Sequence, residues 1–308
     1  MINRILSNCD SRYNLHSCGT CSDCSYEDFC PRTCEKCLDF IHNPSHATKG
    51  SPKRKYDCTH MADYYVCKYS CRYTSEIIYA LERLDELKEI ENLKVLSFGC
   101  GPCTDLFAID FLHKKDVLKY QTLEYRGIDY SKDVWTNVHN DIKACQDQAS
   151  KIYFYYKDAC DIIAEIAQGT WIPDLIVFQY FFSDLNKNTE FSKIRVFIDT
   201  FARYYNEKIK QNTCIILNDI NLSTGYLGGR EFFDMLFGKL NNSVSRKGRF
   251  CNDHSTSLKA PRGYTYGEDS DGEFPSNKNF FDIRKWDRYN PFDTCASAQM
   301  LIIKEERK

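Results

Sequence analysis

Apolar residues recur along this chain in two rhythms. Between Thr74 and Ile90 they return every three or four positions, at Ile77, Leu81, Leu84, Leu87 and Ile90, which marks one face of a helix. Thr74 or Ser75 stands where a side chain would cap its start, and the tyrosine- and cysteine-rich stretch 64–73 leads into it. Further on, short apolar runs read as buried strands at 94–98, 125–129 and 151–158, within 171–184, and at 212–219 and 296–304. Helical patterns separate them at 106–112, at Ile194, Phe197, Ile198, Phe201 and Tyr205, and at 230–240. Strands that alternate with helices predict an α/β, Rossmann-like fold, a mostly parallel sheet with helices on both faces. Ligands of such sheets sit beyond the carboxyl ends of the strands.

The front of the chain breaks this rhythm. Ten of the 17 cysteines fall within the first 71 residues: Cys9, Cys18, Cys21, Cys24, Cys30, Cys34, Cys37, Cys58, Cys67 and Cys71. His16, His42, His46 and His60 are interspersed, His60 two residues after Cys58. Steps of C-x2-C and C-x3-C let two thiolates from one turn reach the same ion, and zinc takes four such soft ligands in a tetrahedron. The apolar content here is too interrupted to build a core, so metal binding would supply the missing folding free energy. The ten cysteines with His60 are the candidate ligands, their pairing left open. Structural zinc is the leading reading. An iron–sulfur cluster is the alternative, since 18–30 comes near a bacterial cluster run with a longer third spacing. The expected organisation is a small Cys-rich metal-binding module over 1–73 and an α/β domain over 74–308, with 228–279 as an insertion beside the acceptor site.

Bulk numbers narrow the partners. A formal net charge of -2 sets up no global basic field for nucleic acid. Local patches survive. Lys49, Lys53, Arg54 and Lys55 form one between cysteine clusters; Arg246, Lys247, Arg249 and Arg262 lie among Phe250, Tyr264 and Tyr266. Basic groups beside aromatics can hold phosphates and stack bases. No stretch of about eighteen apolar residues occurs, so no membrane span or membrane partner is expected. The amino-terminal residues lack the apolar core of a secretion signal. The expected location is therefore the cytoplasm, where thiols stay reduced and dense cysteines hold metal.

The chemistry concentrates at SFGCGPCTD, residues 97–105, between a strand and a helix. Gly99 and Gly101 let backbone approach a ligand closely, because no Cβ intrudes. Asp129 ends the next strand, where a carboxylate can accept both hydroxyls of a ribose. Asp158 ends the one after. A dinucleotide dehydrogenase fits less well: Thr104 stands where its third glycine belongs, and Asp129 lies farther than about 20 residues from the glycines.

In this order of elements the chain resembles the class I S-adenosylmethionine-dependent methyltransferases, over roughly residues 75–308. The segment 97–105 is similar to that family's first motif. The resemblance implies S-adenosylmethionine as cofactor, held by Phe98, Gly99, Gly101, Asp105, Asp129, Tyr130, Asp158, Ala159 and Gln179. It also implies a final antiparallel strand pair, assigned to 280–286 and 296–304. The segment FQYFFSD at 178–184 follows the fourth strand, where the family faces its acceptor. It lacks the proline pair of the base N-methylases; neither a nucleophilic cysteine near strands four and five nor a paired-glutamate signature is evident. Tyr180, Ser183 and Asp184 are the candidate catalytic residues. The expected function is methyl transfer to a macromolecule, RNA ahead of DNA or protein. The alternatives are a transferase acting on a small molecule, or a non-catalytic subunit that binds S-adenosylmethionine and a protein partner.

Overall fold

The computed structural model describes residues 1–18, 30–47, 49–50, 53–222, 224–249, 277–295 and 297–306. Seven strands form one sheet: β1 (Asn92–Phe98), β2 (Thr122–Ile128), β3 (Ser150–Tyr155), β4 (Leu175–Gln179), β5 (Cys214–Ile220), β6 (Ser243–Arg249) and β7 (Ser297–Lys304), in the order β3-β2-β1-β4-β5-β7-β6. β1 to β5 pair in parallel, and β7 runs antiparallel to both its neighbours. The fold is the α/β, Rossmann-like one expected, a mostly parallel sheet with helices on both faces. The strand order reverses between β1 and β4, and a crevice opens there at their carboxyl ends.

Alternation along each strand sends side chains to two cores. Val95, Val177, Ile216 and Leu301 face one cluster; Leu96, Phe178, Leu217 and Met300 face the other. The first cluster is covered by α1 (Ile2–Leu15), α2 (Cys34–His42), α3 (Thr59–Leu81), α4 (Thr104–Lys114) and α5 (Lys132–Ala144). The second is covered by α6 (Ala159–Gln168), α7 (Phe181–Asn188), α8 (Phe191–Lys208) and α9 (Glu231–Phe237). No helix among the described residues is long and apolar enough to cross a membrane.

Several expectations meet a different arrangement. The helix predicted from Thr74 to Ile90 is α3, which starts at Thr59 and stops at Leu81; a short 3-10 turn, Asp85–Leu87, follows. Thr74 and Ser75 do not cap it. They are buried within it, and the Ser75 hydroxyl donates to the Cys71 carbonyl at 2.7 Å. A helix buried nearly all round shows no amphipathic stripe to mark its start. The division at residue 73 accordingly falls inside α3, and α1 and α2 share one apolar cluster with β1, β2 and β4.

The antiparallel partner of β7 is also reassigned. It is β6, at Ser243–Arg249, and not 280–286. Residues Ile283–Tyr289 form a 3-10 turn instead and bury Ile283, Trp286 and Tyr289. β6 is an edge strand of mostly polar residues, so it carries no apolar run to announce it. None of the described residues of 228–279 lines the crevice: α9 packs Phe232, Phe233 and Leu236 into the second core.

Candidate cofactor and acceptor site

The turn after β1 makes the floor of the crevice. Gly99 and Gly101 have φ of +63° and +45°, and Cys103 of +62°, before α4 begins. A Cβ on Gly99 would stand 3.1 Å from the Phe181 ring, so this position is closed to side chains on both torsional and steric grounds. Across the turn, the Asp129 carboxylate accepts the Gly101 N–H at 2.9 Å and the Ser131 N–H at 2.8 Å. Each oxygen retains a second lone pair. Burial raises the Asp129 pKa, while the Ser131 and Gly101 N–H groups oppose that rise.

His139 holds the same turn from behind. Its Nε2 donates to the Gly101 carbonyl at 2.7 Å, so Nδ1 accepts from the Tyr156 hydroxyl at 2.9 Å, and the ring stacks on Phe154 at 3.8 Å. Cys100 and Cys103 lie beside it. With both its nitrogens engaged, His139 acts as a brace.

The cavity above the turn holds about 350 Å³, within the usual range for ligand pockets of about 300–1,000 Å³. Gly99, Gly101, Asp105, Asp129, Tyr130, Asp158, Ala159 and Gln179 all line it. Asp105 is buried and accepts the Tyr125 hydroxyl at 2.9 Å; burial raises its pKa. It therefore fixes the turn rather than offering a free carboxylate. Asp158 caps α6 by accepting the Cys160 N–H at 2.8 Å and pairs with Lys193 at 3.0 Å. Burial works against its charge, but Lys193 and that N–H hold its carboxyl below the usual range. Phe98 points away into the second core, stacked on Phe178 at 4.9 Å. Its backbone leads into the turn; its side chain is not among the cavity's lining.

Of the three residues expected to be catalytic, two line the cavity. Tyr180 sits at φ +56° and its hydroxyl donates to Glu76 at 2.9 Å. Asp184 lines the cavity, and burial followed by the repulsion of Asp129 pushes its pKa up to about 6. Ser183 is 2% exposed and absent from the lining; its N–H donates to Asp219 and its hydroxyl to the Tyr180 carbonyl.

Several site residues escaped the sequence reading. Tyr65 and Tyr73 on α3 and Tyr56 before it form an aromatic wall with Trp135 and Tyr180; the Tyr73 and Tyr180 rings lie 4.2 Å apart. The signal was available: Tyr65, Tyr69 and Tyr73 are four residues apart and share one helical face. Glu76, fully buried, accepts from Arg72, Tyr180 and Asn218. Gln179 is held at both ends, its oxygen by the Thr104 hydroxyl at 2.6 Å and its nitrogen on the Tyr73 carbonyl at 2.8 Å.

The expected metal ligands separate. Cys18 and Cys34 bring their sulfurs to 3.2 Å, and His60 joins them within 4.8 Å. Cys37 and Cys58 are buried close enough to Cys34 to act on its charge. Cys9 and Cys67 lie elsewhere: Cys9 accepts from Arg12 and the Cys67 thiol faces the Leu6 carbonyl. Cys71 is buried, which raises its thiol to about 12. Cys30 is half-buried, and Cys21 and Cys24 lie outside the described residues, as do Phe250, Arg262, Tyr264 and Tyr266.

No family model matches the chain, and no curated protein sequence does. Among solved structures it is similar to the plantazolicin methyltransferase BpumL in complex with a monoazolic desmethylPZN analog and SAH, at 14% identity over 99% of this chain and 100% of that one, TM-score 0.46. It is similar to residues 961–1257 of the StiE O-MT at 16% identity over 88% and 82%, TM-score 0.41. Human methyltransferase-like protein 13 in complex with SAH gives 16% identity over 77% and 84%, TM-score 0.36. At such identities and scores these resemblances decide nothing about substrate.

Proposed function

We propose that this protein is an S-adenosylmethionine-dependent methyltransferase. The observation that carries the reading is the crevice between β1 and β4, where the Gly99–Gly101 turn and the Asp129 carboxylate hydrogen-bonded to it line one cavity. The residues fit the cofactor. Glycines leave the floor bare, Asp129 has lone pairs for a ribose diol, and Asp158 with Ala159 bounds the place for an adenine ring. When bound, S-adenosylmethionine supplies an electrophilic methyl group. The chain's own part is alignment, because in-line displacement depends on holding acceptor and methyl group together. Gln179 and Tyr180, each fixed by hydrogen bonds, would set the methionine end. Asp184 would take a proton from an acceptor that must lose one.

The tyrosine-walled end suits a planar or amine-bearing unit. Lys53 and Lys55 on its rim support an RNA carrying that unit, since phosphate contacts give sequence-independent affinity. The cavity's volume of about 350 Å³ supports a second reading, a free small-molecule acceptor. Zinc is kept as the metal of the cysteine-rich front, supported by the convergence of Cys18, Cys34 and His60. Calorimetry tests the cofactor reading. S-adenosylmethionine binds the wild type, and Asp129→Ala weakens it by about 10- to 100-fold, as expected for about 1.4–2.8 kcal/mol. A wild type that binds neither S-adenosylmethionine nor its demethylated product overturns it. Transfer of labelled methyl into RNA, protein and metabolite fractions then separates the acceptors.

A further inference from the structure

Outside the crevice, one cluster of side chains has the composition of a metal site. Cys18 follows α1, Cys34 opens α2, and His60 is the second residue of α3, so three helices deliver one group each. The sulfurs of Cys18 and Cys34 are 3.2 Å apart without a bond between them. In tetrahedral zinc, with Zn–S near 2.3 Å and Zn–N near 2.0–2.1 Å, neighbouring ligand atoms stand roughly 3.5–3.8 Å apart. All three ligand atoms here lie within 4.8 Å of one another, a gap that small rotations close. His60 is 4% exposed, stacks face to face on Tyr13 at 4.3 Å, and its Nδ1 has no hydrogen-bond partner. A buried polar atom left so is costly unless something binds it. The second cysteine–histidine group, at Cys100, Cys103 and His139, differs on this point, because both nitrogens of His139 are already bonded.

We propose that Cys18, Cys34 and His60, with a fourth thiolate from Cys37 or Cys58, hold one structural Zn²⁺ that fixes the acceptor wall of the crevice. Cys37 lies one turn along α2 from Cys34, and Cys58 is the residue on which α3 starts; both are buried beside Cys34. A set of sulfur and imidazole ligands selects zinc over hard cations. The ion ties the start of α3 to α1 and α2. From that anchored end, α3 carries Tyr65 and Tyr73 into the cavity, and the connection from α2 to α3 brings Lys53, Lys55 and Tyr56 to it. The ion would add to the Arg12–Asp63 and Lys68–Glu35 ion pairs, which already tie α3 to α1 and α2. The metal assignment stands apart from the methyltransferase reading; only the naming of the wall as the acceptor side rests on it.

Metal analysis of the full chain, purified without oxygen, gives the first readout. Cys34→Ser and His60→Ala each lose one zinc per chain relative to wild type, whereas Cys145→Ser, just past the end of α5 and outside the cysteine–histidine cluster, loses none. Whichever of Cys37→Ser and Cys58→Ser also loses one identifies the fourth ligand. Unchanged zinc in both Cys34→Ser and His60→Ala overturns the site, as does iron with acid-labile sulfide in its place. Should those variants not fold, cobalt exchange into the wild type replaces them: thiolate-to-cobalt absorption with tetrahedral intensity supports the site, and its absence overturns it. Hydrogen exchange tests the second half. Chelation speeds exchange over 53–73 at least tenfold and leaves β1, β4 and β5 unchanged; equal exchange in both regions overturns the role in the wall. Calorimetry with S-adenosylmethionine on the same samples keeps the two readings apart. Zinc without cofactor binding removes the methyltransferase reading alone, and cofactor binding without zinc removes the metal site alone.

Discussion

Asp184 and Asp129 are two carboxylates on one cavity, and their surroundings assign them different work. Asp129 is met by two backbone N–H groups, which favour its charged form. Asp184 accepts the Asn188 side-chain amide, and burial, then the charge of Asp129, outweigh the pull of Lys187 and Lys53 and raise it to about 6. A proton acceptor with that pKa is ionised at neutral pH and protonated at pH 5. Transfer to an acceptor that must lose a proton is therefore expected to rise through about pH 6 and level off above it. Asp184→Asn flattens this limb in a pH–rate profile; a limb that persists in the variant shows the base to be another group. The sign for stability is opposite. A carboxyl raised in the folded state contributes most below its unfolded value, near 4, and that contribution is lost as pH rises through 6. Denaturant melts of Asp184→Asn are thus expected to match wild type at pH 4 and to exceed it at pH 7.5.

At the scale of elements, α3 joins the front of the chain to the sheet, and Glu76 is the point of attachment. It receives Arg72 from its own helix, Tyr180 from the end of β4 and Asn218 from β5. Asn218 in turn accepts from Ser297 and Gln299 of β7. Glu76→Ala leaves the Arg72 guanidinium without its buried counter-charge, a loss on the order of 3 kcal/mol. Tyr180→Phe removes one hydrogen bond and costs about 1 kcal/mol. The midpoints of chemical denaturation check both values and their order. What the sequence showed of these elements follows from burial. β1, β4, β5 and β7 are covered on both faces and read as unbroken apolar runs; β6, at the edge with Ser243, Ser245 and Arg246, has no such run. α3 was misplaced because its buried tyrosines and cysteines occupy every face. The site was legible where chemistry requires one residue type, at Gly99, Gly101 and Asp129. It was hidden where ordinary core residues do the work: Tyr65 and Glu76 look in sequence like any buried helix, and Phe98 stands within the motif without facing the cavity.

At the scale of the whole molecule, the front of the chain packs as part of the core. α1 places Ile5 and Leu6 in the same apolar cluster as Val95 and Leu106, and its Arg12 reaches Asp63 on α3 and Asp141 on α5. A fragment spanning 74–308 keeps the last eight residues of α3, 74–81, and exposes the faces of α4 and α5. It is expected to lose cooperative thermal unfolding and near-ultraviolet dichroism while keeping some helix. A fragment that melts in one sharp transition would show the front to be dispensable.

β7 sits between β5 and β6, yet it is the last strand in the chain. During synthesis the ribosome must release Lys304 from its exit tunnel before β5 finds its neighbour. Until then the half-built sheet presents an open edge, and a prematurely stopped message leaves it so permanently. The quality-control machinery of the cell would meet such a product as a sticky intermediate.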